Sequence, residues 1–546
     1  MANNFIKGID RQMWVTTPQT PNVHVAGVTL TSDNRNDWSR DPFVRQFVNA
    51  SIINRYNIYT KSWTFNFNPG LGGSFQAGSC AVFAPSRGFN GTIAAGSTTL
   101  SINTSTVLSA APALNSLANR GGSGEYGFKI RIVSASTGRT IERYIVANSS
   151  TTTPTFVVND ALPFTPASGD LYEIIAGRYY MLNAGAIVAT SFRSYEVANN
   201  ILANAGTTNL PTPGTDSTII ALDEQYVPYD NNPGDGMIKG TYAYSSGTTG
   251  PPATTTLYAL TATAAAAASI TGQAAGGDSS VAANEYRNFQ IRIVEDTTNP
   301  TAVGQRRIIS SHTAGASAVY SIGGGNWSVT PSATAKFVIE LPNLILLRTG
   351  TNTTTYTYNY NSATINNGTN SIAQDTWSTT YFAAGNANAA GGIFMPSWSI
   401  QPDTPNRNAR HSFIYCFRGG NVATLDLFDM ANTITGAWSS NITYDGTSSA
   451  TPGTGTCGAT SNGTINEGRF FTLNIYTQNV INQMFRFDVK NRVLTPFTPT
   501  EFLQLNSAAV GNRLVSYIGV SGSDKFDVLL LCNCGATLTQ ELIVQT

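Results

Sequence analysis

The sequence predicts an all-β chain: a β-propeller of about six blades with two inserted, mutually similar small β-domains. Three observations carry that expectation. Short runs rich in Val, Ile, Thr, Tyr and Phe alternate with clusters of Gly, Asn, Pro and Ser along the chain. Two segments of about 90 residues repeat one another, the mark of a duplicated unit. An aromatic–acid–aliphatic strand recurs in hairpin contexts outside those segments.

The strand runs come first. Trp63–Phe67, Phe413–Phe417 and Lys525–Leu531 are dense in β-branched and aromatic residues, which pack well on a pleated surface. No window holds an amphipathic helical pattern. The run Ala264–Ala268 reads either as a helical turn or as a small-residue strand or loop, because Thr, Ser and Gly crowd it.

The duplication rests on three blocks. Phe128-Lys-Ile-Arg-Ile-Val133 matches Phe289-Gln-Ile-Arg-Ile-Val294, an offset of 161. Arg143-Tyr-Ile-Val146 matches Arg306-Arg-Ile-Ile309 at 163, and Leu171-Tyr-Glu-Ile-Ile175 matches Lys336-Phe-Val-Ile-Glu340 at 165. Shared strands with drifting loop lengths are expected of a duplicated β-domain. Each segment follows a comparable strand, Cys80–Ala84 in one case and Gly240–Tyr244 in the other. The expected organisation is propeller over 1–88, first insert over 89–175, propeller over 176–248, second insert over 249–341 and propeller over 342–546. Loop tips are where a scaffold tolerates such insertions.

The recurring hairpin motif is Tyr195-Glu-Val197, Phe428-Asp-Met430 and Phe487-Asp-Val489, with Tyr358-Asn-Tyr360 as a weaker relative. From Tyr360 to Phe428 is 68 residues and from Phe428 to Phe487 is 59. That spacing resembles long kelch-type blades. The roughly 370 residues outside the inserts, at about 60 per blade, make about six blades. The acid after the aromatic is expected to accept backbone N–H groups of the following turn.

Composition narrows the function. Charged residues are 11% of the chain, against about 25% in an average globular protein. The 31 basic residues balance 31 acidic ones, so nothing favours nucleic acid, an anionic membrane or a polyanionic substrate. Hydrophobic content of 41% suffices for packed cores. No run of about 18 apolar residues would span a membrane. The start at Met1 has neither a basic region nor an apolar core of the secretory kind. Cys80, Cys416, Cys457, Cys532 and Cys534 are too few and scattered for a disulfide framework.

Motifs for chemistry are sparse. His24, His312 and His411 lie beside small polar residues with no second ligand at metal spacing. Cys532 and Cys534 would share a strand face, yet no other Cys or His lies near them in sequence, so two packed small side chains are expected. The segment Asp230–Gly236 departs from a calcium loop, with Asp235 where Gly is needed and Thr241 where the bidentate Glu belongs. Asp223 and Glu224 would face opposite sides of a strand and make a poor acid–base pair. Trp377, Trp398 and Trp438 suit blade interfaces better than sugar stacking. No Gly-x-Ser-x-Gly elbow, His-Glu-x-x-His or phosphate loop occurs. No catalytic, cofactor or metal residue is therefore expected, and the chain reads as a non-enzyme.

The pairing of Phe-x-Ile-Arg-Ile-Val with Gln305–Ile309 and a closing Tyr/Phe-x-Ile strand resembles a small β-domain of tailed-bacteriophage structural proteins. The Tyr/Phe-Asp-Val strands resemble their propeller partners, as does the ending with Ala508–Arg513, Lys525–Val528 and Glu541–Val544. The resemblance implies a virion component made in the bacterial host cytoplasm, a ring-forming tail protein of nozzle or hub type. It implies as partners further copies of itself and other tail or neck proteins. The alternatives are a capsid-surface decoration or fibre-like protein, and a propeller that binds host-surface glycan. Residues 1–12 match neither unit and read as a docking arm or a frayed end.

Overall fold

The computed structural model describes residues between Gln12 and Val544, leaving out, among shorter stretches, 17–28, 223–259, 398–412, 444–456 and 498–512. The chain is all-β. The one described helical element is the 3-10 turn Pro300–Ala302.

Among the described residues, six four-stranded antiparallel sheets hold most of the strands. The first runs from its inner strand Thr29–Ser32 through Phe43–Val48 and Ile52–Asn57 to Ser62–Phe67. The second is Cys80–Phe83, Arg178–Leu182, Phe192–Glu196 and Ile201–Asn204. The third is Thr218–Leu222, Leu344–Arg348, Tyr356–Asn359 and Trp377–Ser378. Fourth and fifth begin at Ile393–Ser397 and Cys457–Ser461 and follow the same meander. The sixth is Arg513–Ser521, Asp524–Cys532 and Thr539–Val544, with Gln12–Thr16 added outside. Inner strands touch in cyclic order, each against the next and Arg513–Ser521 back against Thr29–Ser32. That ring of inner strands makes the sheets blades. Trp14 stands in register with Leu542, so the start and end of the chain share one blade.

Strands near the centre are buried on both faces, and they read as continuous apolar runs rather than alternating ones. Leu344–Arg348 is buried at every residue. The recurring aromatics Tyr195, Tyr358, Phe428 and Phe487 all fall in the third strand of their sheets and are buried, as is Tyr56 in the first sheet. The polar residue after the aromatic varies in use. Asn57 Oδ1 in the first sheet accepts the N–H of Thr60 in the following turn at 3.0 Å. Glu196 instead receives Arg178 Nη2 at 2.6 Å from the residue opposite it across the strands.

The two inserts leave equivalent loops, each between the first and second strand of its blade. In the second case the first strand of the blade is Thr218–Leu222, and the expected strand Gly240–Tyr244 lies outside the described residues. Ser86–Thr92 already belongs to the first insert, three residues before the expected boundary at 89. The strands of that insert are Ser86–Thr92, Ser101–Asn103, Phe128–Val133, Thr140–Asn148, Thr155–Val158 and Leu171–Ala176. In the second they are Leu260–Ala266, Ser269–Gly272, Gln290–Glu295, Arg306–His312, Val319–Ile322 and Lys336–Glu340. The alanine run is thus largely strand.

Both inserts share one strand order. Numbering strands within each insert, the sixth lies between first and third, the third between sixth and fourth, and the fifth joins fourth to second. The second insert closes as a barrel. In the first, the Ile93–Thr104 bridge and the Ser105 N–H bond to Thr92 C=O bring its edges together. A bulge falls at the same place in each, between Ile145 and Ala147 and between Ile309 and Ser311, an offset of 164. Strand register therefore aligns Glu142 with Arg306 and Arg143 with Arg307, one residue from the alignment of the sequence blocks.

The barrels differ in attachment. Ile291, Ile309, Phe337 and Trp327 of the second share one core with Leu344, Leu346, Ile414 and Phe428 of the third and fourth blades. Ile130, Ile132, Ile145, Phe156 and Ile174 of the first form a core of their own.

Candidate functional site

Among the described residues, buried charge concentrates where the two barrels meet. In the first barrel, Arg131 is in register with Glu142 on one side and Glu173 on the other. In the second, its counterpart Arg292 stands between Arg306 and Val338. One barrel thus sets acid–base–acid along a row, and the other sets two bases. Glu173 Oε1 receives Arg306 Nη2 at 2.5 Å, while its Oε2 lies 3.9 Å from both Arg292 Nη2 and Arg131 Nη1. The Glu173 side chain is 3% exposed and the three arginines no more than 9%. Beside this row, Gly304 approaches Asn90 so closely that a Cβ would lie 3.2 Å from its side-chain nitrogen.

Buried charges survive only when compensated. Here the Glu173 carboxylate of one barrel faces Arg306 and Arg292 of the other, so separating the barrels would break both contacts. Attraction in such a dry junction is screened little by salt. Both oxygens of the Glu173 carboxylate face guanidinium groups. The chemistry of the junction is that of a clamp.

The residues singled out from the sequence are placed as follows. His312 ends its strand as a neutral imidazole: Nε2 accepts the N–H of Tyr286 at 2.8 Å, and Nδ1 lies 2.9 Å from the Thr313 carbonyl, to which it donates. Burial, with a smaller contribution from Arg287, holds its pKa below the usual histidine range, against the opposing Thr313 bond. Trp377 is buried among Phe192 and Tyr358 between the second and third blades. Trp438 packs on Phe428 and donates from Nε1 to the Ala383 carbonyl at 3.1 Å. Cys532 closes the strand that begins at Asp524, and Cys80 and Cys416 are buried. His24, His411, Asp223, Glu224, Asp230–Gly236, Trp398 and Cys534 lie outside the described residues. Among the described residues, no three His, Cys, Asp or Glu side chains gather as a metal site. No helix among them is long and apolar enough to cross a membrane.

Two features escaped the sequence reading. Glu173 stands in an otherwise apolar strand, and that anomaly was the available signal. Arg348 is fully buried, its guanidinium carbon is 4.7 Å from the centre of the Trp438 ring, and none of its three nitrogens has a hydrogen-bond partner.

No family model matches this sequence, and no curated protein matches it. A crystal structure of NanB sialidase from Streptococcus pneumoniae aligns over 96% of this chain and 83% of its own, at 8% identity and a TM-score of 0.21. A likeness that slight says nothing of ancestry or activity.

Proposed function

We propose that this chain is a structural component of a tailed-bacteriophage particle, a ring-forming tail protein of nozzle or hub type, with a mechanical rather than a catalytic role. The observation that carries the reading is the way the chain is braced. Its blades form a ring in which first and last strands share one sheet, and two sister barrels on neighbouring blades are locked by a buried carboxylate. Such bracing resists bending between parts, which a load-transmitting subunit needs. The test is to purify particles, identify their proteins by mass spectrometry and image the tail. The chain should occur there in several contacting copies. Its absence from particles, or its presence as isolated copies, would overturn the proposal.

A further inference from the structure

The two barrels are sisters, yet one face is covered in the second and bare in the first. In the second barrel the bulge residue Ser310 packs beneath the hairpin formed by Ile365–Asn366 and Ser371–Ile372, which extends from the third blade. Ile365 and Ile372 are buried in the same core as that barrel. Gly323 makes the cover possible, since a Cβ there would lie 2.1 Å from the Asn366 carbonyl oxygen.

In the first barrel the bulge residue is Val146, and it is 40% exposed. The counterpart of Gly323 is Asn159: each donates its N–H to the carbonyl of an equivalent residue, Ile308 and Tyr144. A side chain at that point bars a hairpin seated the same way. Around it, five of the seven exposed large apolar side chains among the described residues gather on this barrel: Leu100, Val107, Leu114, Val146 and Val157. Val157 is in register with Ser101 and Ala147, and the N–H of Val158 bonds the Leu100 carbonyl. Leu114 and Val107 adjoin residues bonded to Asn148 and Thr152. Val146 and Val157 thus lie on strands four and five, Leu100 at the entry to strand two, and Val107 and Leu114 in the segment that follows it. No Lys, Arg, Asp or Glu occurs in 97–118 or 144–158. Exposed apolar side chains gathered on an uncharged surface of this kind mark an interaction site.

We infer that this face of the first barrel docks a second copy of the same chain, through the hairpin tip that carries Val422. The choice of occupant follows from the surface. The face is free of charge, and the chain as a whole has zero formal net charge, so copies approach without repulsion. Val422, 40% exposed, is the one exposed large apolar side chain outside the barrels among the described residues. It lies in the turn between the second and third strands of the fourth blade, whereas the barrels leave turns between first and second strands. Turns of these two kinds emerge on opposite rims of a propeller. One copy therefore carries an apolar tip on one rim and an apolar face on the other, the two unlike halves of a heterologous contact.

The inference deepens the assembly reading above and rests on it only for its biological setting. Its test uses purified full-length chain, so it can fail while particle membership stands. A Val157→Cys chain and a Val422→Cys chain are mixed and treated with a short bis-maleimide, beside each alone and the unsubstituted protein. The mixture should yield at least about tenfold more covalent dimer than either chain alone, because docking raises the local concentration of the two thiols. Adding Val146→Asp to the Val157→Cys chain should abolish the gain and shift the sedimentation coefficient toward monomer. Equal yields in mixed and single samples would overturn the inference. So would dimers from Val157→Cys alone at the mixed yield, or a monomeric wild-type chain at every concentration tested.

Discussion

Asn148 and His312 occupy the same position in the two barrels and use different chemistry for the same bond. Asn148 Oδ1 accepts the N–H of Leu117 at 2.9 Å, and His312 Nε2 accepts the N–H of Tyr286 at 2.8 Å. The backbone of each also exchanges two hydrogen bonds with an asparagine, Asn115 or Asn284. Both asparagines have positive φ, 55° and 64°, a conformation asparagine tolerates better than most residues. The local device survived duplication while one of its residues changed type.

His312→Asn should therefore leave stability at neutral pH nearly unchanged. It should also remove an acid sensitivity. With its folded pKa lowered by burial, His312 stays neutral in the native chain where the unfolded chain already binds a proton. Its contribution is fully present above about pH 6.5 and declines as pH falls below that value. Melting temperatures of both proteins between about pH 8 and pH 5.5 test this. Identical pH slopes would show that His312 carries no such linkage.

Glu173→Gln should cost about 3–5 kcal/mol, because it leaves buried guanidinium groups without their carboxylate. The loss should persist at high salt. Lys336 and Glu295 offer a contrast: their pair is 2.9 Å long with side chains 37% and 23% exposed. Breaking it with Lys336→Ala should cost at most about 1 kcal/mol. Denaturant unfolding of both variants, with hydrogen exchange at Phe128–Val133 and Gln290–Glu295, gives the comparison. Equal losses would mean that the junction does not clamp the barrels.

Arg348→Met should stabilise the protein. Burying a guanidinium without a hydrogen-bond acceptor costs several kcal/mol, and its stacking on Trp438 returns about 2. Methionine keeps the stem's apolar contacts and removes the charge. Thermal unfolding that shows a loss instead of a gain would refute the argument from desolvation.

Gly323→Ala should loosen the hairpin at Ile365–Ile372, since the added carbon meets the Asn366 carbonyl rather than a mobile side-chain end. A cost of about 1–3 kcal/mol is expected for such overpacking. Faster proteolysis within 365–372, without faster cleavage in the first barrel, is the signature to look for. An unchanged cleavage pattern would mean that the hairpin is not held there.

Much of this fold is legible in the sequence because its causes are local. The apolar run Leu344–Leu347 and the β-branched and aromatic run of Phe413–Phe417 declare buried strands, and no period of 3.6 competes with them. The block Phe-x-Ile-Arg-Ile-Val recurs because one strand position in one barrel makes the same demands twice. Aromatics such as Tyr195 and Phe428 mark third strands because they fill the space between blades. Tertiary structure alone decided the rest. The pairing of Gln12–Thr16 with Thr539–Val544 spans almost the whole chain, and no local pattern can name so distant a partner. Glu173 reads as an oddity in an apolar strand until the second barrel brings Arg306 to it. The sequence blocks match Val146 with Ile309, whereas the bulges match it with Ser310, and a hairpin covers Ser310 but leaves Val146 exposed. In each case the deciding quantity is an energy shared between distant segments, a desolvated charge or a buried surface. Such an energy exists only once the fold has brought both sides together.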